Sequence, residues 1–341
     1  MGKLANLISQ SKKLAWQNSN FKRKVLASYS PSPLAHFLLS LQTPCQEIVQ
    51  PNGPQPAIPS SKTPKYVKIY SMSIPLVLNR KNRILLKELT KTDFKLRYQG
   101  SVLGYLWALL RPLLMFAILY IVFAKLLRIG GDIPHYPVYL LCGTTMWSFF
   151  TECTSQGIQA IVNRGDLLRK ISFPKYIVVV SATWTAVINM LINLVVIIIF
   201  ALINGVTPTW SWFLVIPAIL ELYILSLGIA FLLGSINVKY RDITSIWDVL
   251  TQALFYAVPI IYPISMVADT SVKAAKVIIL NPISQAIQDI RFGLITHETI
   301  TTWNYLGNIV LAFIPIIITF SILIIGALVF RRKSKFFAEE V

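Results

Sequence analysis

The chain has 341 residues, 55% hydrophobic and only 13% charged, with a mean hydropathy of +0.62. Soluble domains carry about a quarter charged residues, so this composition excludes an ordinary water-soluble surface and suits one that faces lipid. The net charge of +18 comes from 32 Lys and Arg against 14 Asp and Glu; in so apolar a chain it places basic loops on one side of a membrane and speaks against nucleic-acid binding.

Residues 1–72 read as a basic tail. Lys12, Lys13, Lys22, Arg23 and Lys24 precede a Pro-, Ser- and Gln-rich stretch over 51–64, a composition of disordered segments. A secretory signal needs an apolar core of about 7–15 residues, and the run at 37–41 is too short. Two readings stand: an extension ahead of a start at Met72, or a cytoplasmic arm near anionic lipid. Next comes NRILLKELTKTDFKLR (82–97), in which Leu85, Leu86, Leu89, Phe94 and Leu96 oppose Lys87, Lys91, Lys95 and Arg97 at helical spacing. An amphipathic helix in the membrane interface is expected within 73–101.

A helix crossing a hydrocarbon core of ~30 Å needs ~20 mostly apolar residues. Six segments qualify within a permease domain spanning 102–330: 103–126, 138–161, 176–203, 212–238, 246–266 and 306–330. The third and sixth carry no charge. The second holds Thr144, Thr145, Ser148, Thr151, Glu152, Thr154, Ser155 and Gln156, so it is expected to face a cavity or partner helices rather than lipid. Pro259 and Pro263 interrupt the fifth. The loop 267–304 holds two short apolar pieces, 277–280 and 286–295, split by Asn281-Pro282. They are too short to span and predict either a re-entrant hairpin, whose backbone needs protein or water around it, or a surface helical cap. The expected fold class is all-α integral membrane, with six transmembrane helices behind an interface helix, a re-entrant or surface hairpin before the last span, and a tail at 331–341.

The basic residues orient this plan. With the N-terminus inside, the inner segments hold Arg80, Lys81, Arg83, Lys87, Lys91, Lys95 and Arg97, then Arg164, Arg169, Lys170 and Lys175, then Lys239 and Arg241, and finally Arg331, Arg332, Lys333 and Lys335. The outer segments hold only Lys125, Arg128, Lys273, Lys276 and Arg291. The bias puts both termini in the cytoplasm.

Cys45, Cys142 and Cys153 form no C-x-x-C pair, and His36, His135 and His297 are far apart. Neither a disulfide framework nor a metal site is expected. No G-x-x-x-x-G-K-[ST] phosphate loop occurs, so if ATP drives transport, its site belongs to another polypeptide.

Four segments, in this order, resemble the permeases of polysaccharide-exporting ABC transporters. LRYQGSVLGYLWALLRPLL (96–114) is similar to the entry of their first span, and NRGDLLRKISFPK (163–175) to their first cytoplasmic loop. NVKYRDI (237–243) is similar to the second loop, and NPISQAIQDIR (281–291) to the hairpin before the last span. The resemblance covers about 80–332 and leaves out the first 70 residues. It implies a homodimer of six-helix permeases in the inner (plasma) membrane, joined to a separate ABC ATPase dimer that binds the ATP and Mg. It also implies export of a lipid-linked polysaccharide such as O-antigen, capsule or teichoic acid, with no catalytic residue and no cofactor on this chain.

Such a permease must grip its ATPase. In 163–175, Leu167, Leu168, Ile171 and Phe173 form a short apolar set among Arg164, Asp166, Arg169 and Lys170, and a short amphipathic helix can seat that face in a groove. Lys239, Tyr240, Arg241 and Asp242 form the second inner turn. The plain alternative for both is a solvated loop that obeys the positive-inside rule. Within or near the spans, Arg111, Glu152, Glu221 and Asp248 are expected to face protein or water. Sugar rings stack on flat aromatic faces, so Trp107, Trp147, Phe150, Tyr256 and Tyr262 are candidates for a glycan path, against their ordinary role as interfacial belts. Arg97 and Arg111 are candidates to attract a phosphate-bearing lipid head. An ion-driven carrier using the three carboxylates, and a membrane transferase acting on a lipid-linked sugar, are the rival functions. No internal inverted repeat, Asp-x-Asp pair or histidine cluster supports either.

Overall fold

The computed structural model describes residues 80–340 apart from 101, 102, 129, 130, 132 and 172. The tail expected over 1–72, with Cys45 and His36, lies outside the described residues. All described regular structure is helical. Helix α1 (Arg80–Tyr98) is followed by a 3-10 turn (Gly104–Leu106) and α2 (Trp107–Leu119), which runs on through a π-helical stretch (Tyr120–Leu126). Then come α3 (Tyr136–Gln159), α4 (Gly165–Lys170) and α5 (Tyr176–Ile203). A 3-10 turn (Trp210–Leu214) leads into α6 (Val215–Asn237), followed by α7 (Ile243–Ala257), α8 (Ile264–Thr270), α9 (Val272–Ile279) and α10 (Pro282–Leu294). The chain closes with α11 (Thr302–Tyr305), α12 (Ile309–Ala312), α13 (Ile314–Lys333) and α14 (Phe337–Glu340).

Among the described residues, four helical stretches are long and apolar enough to cross a membrane: Gly104–Leu126, Tyr176–Ile203, Trp210–Asn237 and Ile309–Lys333. They coincide with the first, third, fourth and sixth expected segments. The second segment forms the continuous helix α3, too polar to count by hydropathy alone. The fifth is broken. Its helix α7 stops after 15 residues at Val258, which is extended (φ −87°, ψ 138°), and α8 starts only after Pro263, itself extended.

The position of α3 accounts for its composition. It packs against α5, α6, α2, α7 and α10, and its side chains from Tyr136 to Gly157 are buried around most of the helix. The hydroxyls of Thr144 and Thr154 return to carbonyls of Leu140 and Phe150, 3.0 and 2.9 Å away, which hides them from apolar neighbours. The α6–α13 pair closes the far side. A Cβ on Gly228 would stand 2.8 Å from backbone atoms of Leu323, and one on Gly326 would collide with the carbonyl oxygen of Gly228. Only glycine lets these backbones meet, the small-residue contact that substitutes for a hydrophobic drive between membrane helices.

Two end pieces complete the body. At the end that carries α4, Phe337 of α14 is fully buried in a cluster with Phe330, Phe231, Val178 and Leu168. There Lys175 donates to the carbonyl of Ser334, and burial lowers its ammonium pKa. At the other end, α10 is buried on nearly every face, from Ile283 to Leu294, wedged against α6, its 3-10 entry and α3. The two pieces of the expected hairpin differ: α10 is enclosed by protein, whereas α9 buries Ala275 and Ile279 and exposes Val272 and Val277. Asn281 caps α10 by accepting from Ile283 N at 3.0 Å, and Pro282 sits at its first turn, where its missing N–H costs nothing.

Candidate functional site: a polar cavity beside α3

A cavity of about 1100 Å³ opens between α1, α2, α3, α5 and α7. Its walls differ. Helix α2 contributes Trp107, Leu114, Met115 and Ile118, while α3 contributes Ser148, Thr151, Glu152, Ser155 and Gln156. Asn189 and Asn193 of α5 and Asp248, Thr251 and Gln252 of α7 extend the polar side, and Arg97 and Arg111 supply positive charge. A largely apolar α2 that carries Arg111, next to Arg97 and facing a polar wall, suits an amphiphile with an anionic head.

Glu152 is the organising group. Arg97 of α1 forms an ion pair with its Oε1, which also accepts from Asn189 Nδ2 at 2.6 Å and Gln156 Nε2 at 3.0 Å. Tyr98 OH donates to Asn189 Oδ1 at 3.2 Å and fixes that amide's orientation. Burial raises the Tyr98 phenol pKa, so it remains a donor. The Arg97 and Glu152 side chains keep 31% and 21% exposure, so the pair is open to exchange with solvent or ligand. Among the described residues, neither Arg111 nor Asp248 forms an ion pair.

Pro112 explains another contact. Its ring removes the N–H that would bond the carbonyl of Ala108, and Asn193 Nδ2 of α5 supplies a donor there at 3.0 Å. The proline in α2 is thus matched by an asparagine in α5, and both line the cavity.

The expected path residues divide. Arg97, Arg111, Trp107 and Glu152 all line the cavity. Trp147 and Phe150 do not: they are 8% and 0% exposed, packed with Trp247 and Phe255 in an aromatic cluster. Contact of α3 with partner helices was expected; that those helices cover Trp147 and Phe150 was not. Tyr256 is 70% exposed at the end of α7, and Tyr262 donates to the carbonyls of Tyr256 and Ala257 at 3.1 and 3.3 Å. Both lie at the helix break, outside the cavity wall.

The expected docking residues gather at the α4 end. Asp166, Arg169, Lys170 and Ile171 are exposed, as are Lys239, Tyr240, Arg241 and Asp242. The apolar set is split, which corrects its expected single face. Leu168 is buried and Phe173 packs beside it, both in the cluster closed by Phe337, because the chain's own last helix covers them; Leu167 stays half-buried. Arg164 points inward to an ion pair with Asp93 of α1 and donates to Ser181 at 2.9 Å. Asp93 and Arg97 of α1, one turn apart, therefore connect the entry of α4 and the cavity.

The carboxylates of the carrier reading are dispersed. Glu152 and Asp248 share the cavity, whereas Glu221 accepts from Gln285 at 3.4 Å, beside Asp289 on the hairpin. Among the described residues no cluster of His, Cys, Asp and Glu could hold a metal.

Comparison with known proteins gives the class. The ABC-2 type transporter family matches residues 84–295, which hold the cavity, α4 and α10. The chain belongs to this family, and it is a transport subunit of an integral membrane protein. Two curated relatives carry the name O-antigen export system permease protein RfbA. One, from Klebsiella pneumoniae, is 29% identical over 256 residues, covering 75% of this chain and 94% of the relative. The other, from Myxococcus xanthus, is 32% identical over 200 residues, covering 59% and 76%. The family and these relatives place the chain in the polysaccharide-exporter branch of type-2 ABC permeases.

Proposed function

We propose that this chain is the transmembrane subunit of an ATP-driven exporter that moves a lipid-linked polysaccharide, of the O-antigen, capsule or teichoic acid class, across the inner membrane. The observation that carries it is the cavity: an apolar wall beside two arginines, in a chain whose relatives are named for O-antigen export. Arg97 and Arg111 attract the phosphate of the lipid head, Trp107 offers a sugar-stacking face, and Tyr256 and Tyr262 extend the route toward the hairpin end. The chain crosses the membrane six times, with α3 and the broken α7–α8 segment as the second and fifth crossings, and α1 in the interface. Both termini are cytoplasmic, as the basic bias requires. Two copies form a homodimer, served by the exposed apolar residues of α2 and α7, among them Ile118, Ile121, Ile246 and Val249.

A separate ABC ATPase dimer binds at the α4 end through Asp166, Leu167, Arg169, Lys170 and Ile171, with Lys239 to Asp242 as a second contact. Its closure pushes α4, and the Arg164–Asp93 pair passes that displacement to α1 and so to Arg97. Co-expression with ABC ATPase subunits of the same genome, followed by pull-down and ATP hydrolysis, tests this. A stable complex is expected, lost in Ile171→Asp with Arg169→Glu while the chain still purifies folded. Transport by the chain alone under an ion gradient, with no ATPase bound, would replace this reading with the carrier.

A further inference from the structure

Where the fifth segment breaks, backbone carbonyls lose their helical donors, and inside a membrane protein each must find another. Three side chains do this. Tyr262 serves Tyr256 and Ala257, and Tyr136 OH serves Ile261 at 2.9 Å. Arg291, from α10, serves Pro259 and Ile260: Nη1 donates to Pro259 O and Nη2 to Ile260 O, each at 2.7 Å. Its Nε donates to Tyr139 O at 3.2 Å, Nη1 also reaches Gln288 Oε1 at 3.2 Å, and its guanidinium stands 3.5 Å from the Tyr139 ring centroid.

This arginine is fully buried, 0% exposed, yet pairs with no carboxylate among the described residues. Its charge is dispersed over carbonyl dipoles and an aromatic face, which only the planar, five-donor fork of arginine can reach together. Helix α3 is shaped to admit it. A Cβ on Gly143 would collide with Nη2 of Arg291 and lie 3.1 Å from Ile260 O.

We infer that Arg291 is a positioning residue that fastens α10 to the break at 258–263, so that the two move as one unit. Its effect on transport rests on the exporter reading; the coupling is a property of this chain alone. It joins two parts of the molecule some thirty residues apart and holds Tyr262 and Tyr256 in place without touching them.

Hydrogen–deuterium exchange on the full chain in lipid nanodiscs tests it. Arg291→Lys keeps the charge but offers a point donor. It should speed exchange about tenfold or more over both 254–264 and 282–294, with 163–170 unchanged. Gly143→Ala should give the same paired signature with Arg291 present, and decides alone if Arg291 variants do not fold. Faster exchange in only one of the two segments, or parental exchange in both, would overturn the inference. In complex with the ATPase, Arg291→Lys should still assemble but lose most transport. Failure of the parent chain to bind any ATPase would sink the exporter reading, while the exchange pattern would still decide the clamp.

Discussion

Arg97 and Arg291 sit toward opposite ends of α3 and are held in opposite ways. Arg97 lies on a cavity wall, keeps 31% of its side chain exposed, and pairs with a carboxylate that two amides also grip. Arg291 is enclosed and rests on four oxygens, three of them backbone carbonyls. A phosphate can compete with Glu152 for Arg97, because both are anions at a wet surface. Nothing can compete for Arg291 without unfolding the break in the fifth segment. The same side chain is an exchangeable group on a cavity wall at one end and part of the architecture at the other, and the nature of its partner tells which.

Conservative replacement separates the two most sharply. Arg291→Lys should cost about 3 kcal/mol, since buried carbonyls are left without donors, while Arg97→Lys should cost under ~1 kcal/mol as a half-exposed pair. Thermal unfolding of both variants in one detergent measures the difference; equal losses would erase the distinction. Asn193→Ala comes next, at about 1–2 kcal/mol, because the Ala108 carbonyl freed by Pro112 loses its partner. Asn193→Asp, which accepts but cannot donate, should be no better. The smallest change in stability, within ~1 kcal/mol, is expected for Glu152→Gln. That variant releases Arg97, so calorimetry should show a short-chain lipid diphosphate bound several-fold more tightly. Weaker binding would mean that Glu152 itself contacts the ligand.

Much of the plan was written in the sequence. The uncharged runs at 176–203 and 306–330 reappear as α5 and α13, and the prolines at 259 and 263 mark the break. The polar face of 138–161 foretold a helix turned to a cavity. What did not show was pairing across long separations. Arg291 counted only as one more loop cation until four oxygens were found around it. Asn189 and Asn193 stand four apart in a mostly apolar helix, a spacing that puts both on one face. That signal was present, but its partners Glu152 and Ala108 lie far away in the chain. Leu168 was misplaced because helical spacing identifies an apolar face without saying what covers it, and here α14 does.

The meeting of Gly228 with Gly326 and Leu323 has a mechanical meaning. Two backbones in contact cannot slide past one another or change their crossing angle without parting, since no flexible side chain lies between them to absorb the shift. Helices α6 and α13 therefore behave as a single rigid post. Any rearrangement that widens the molecule is left to the slimmer attachments on its other flank, where α2 lacks a helical hydrogen bond at Pro112 and α7 ends short.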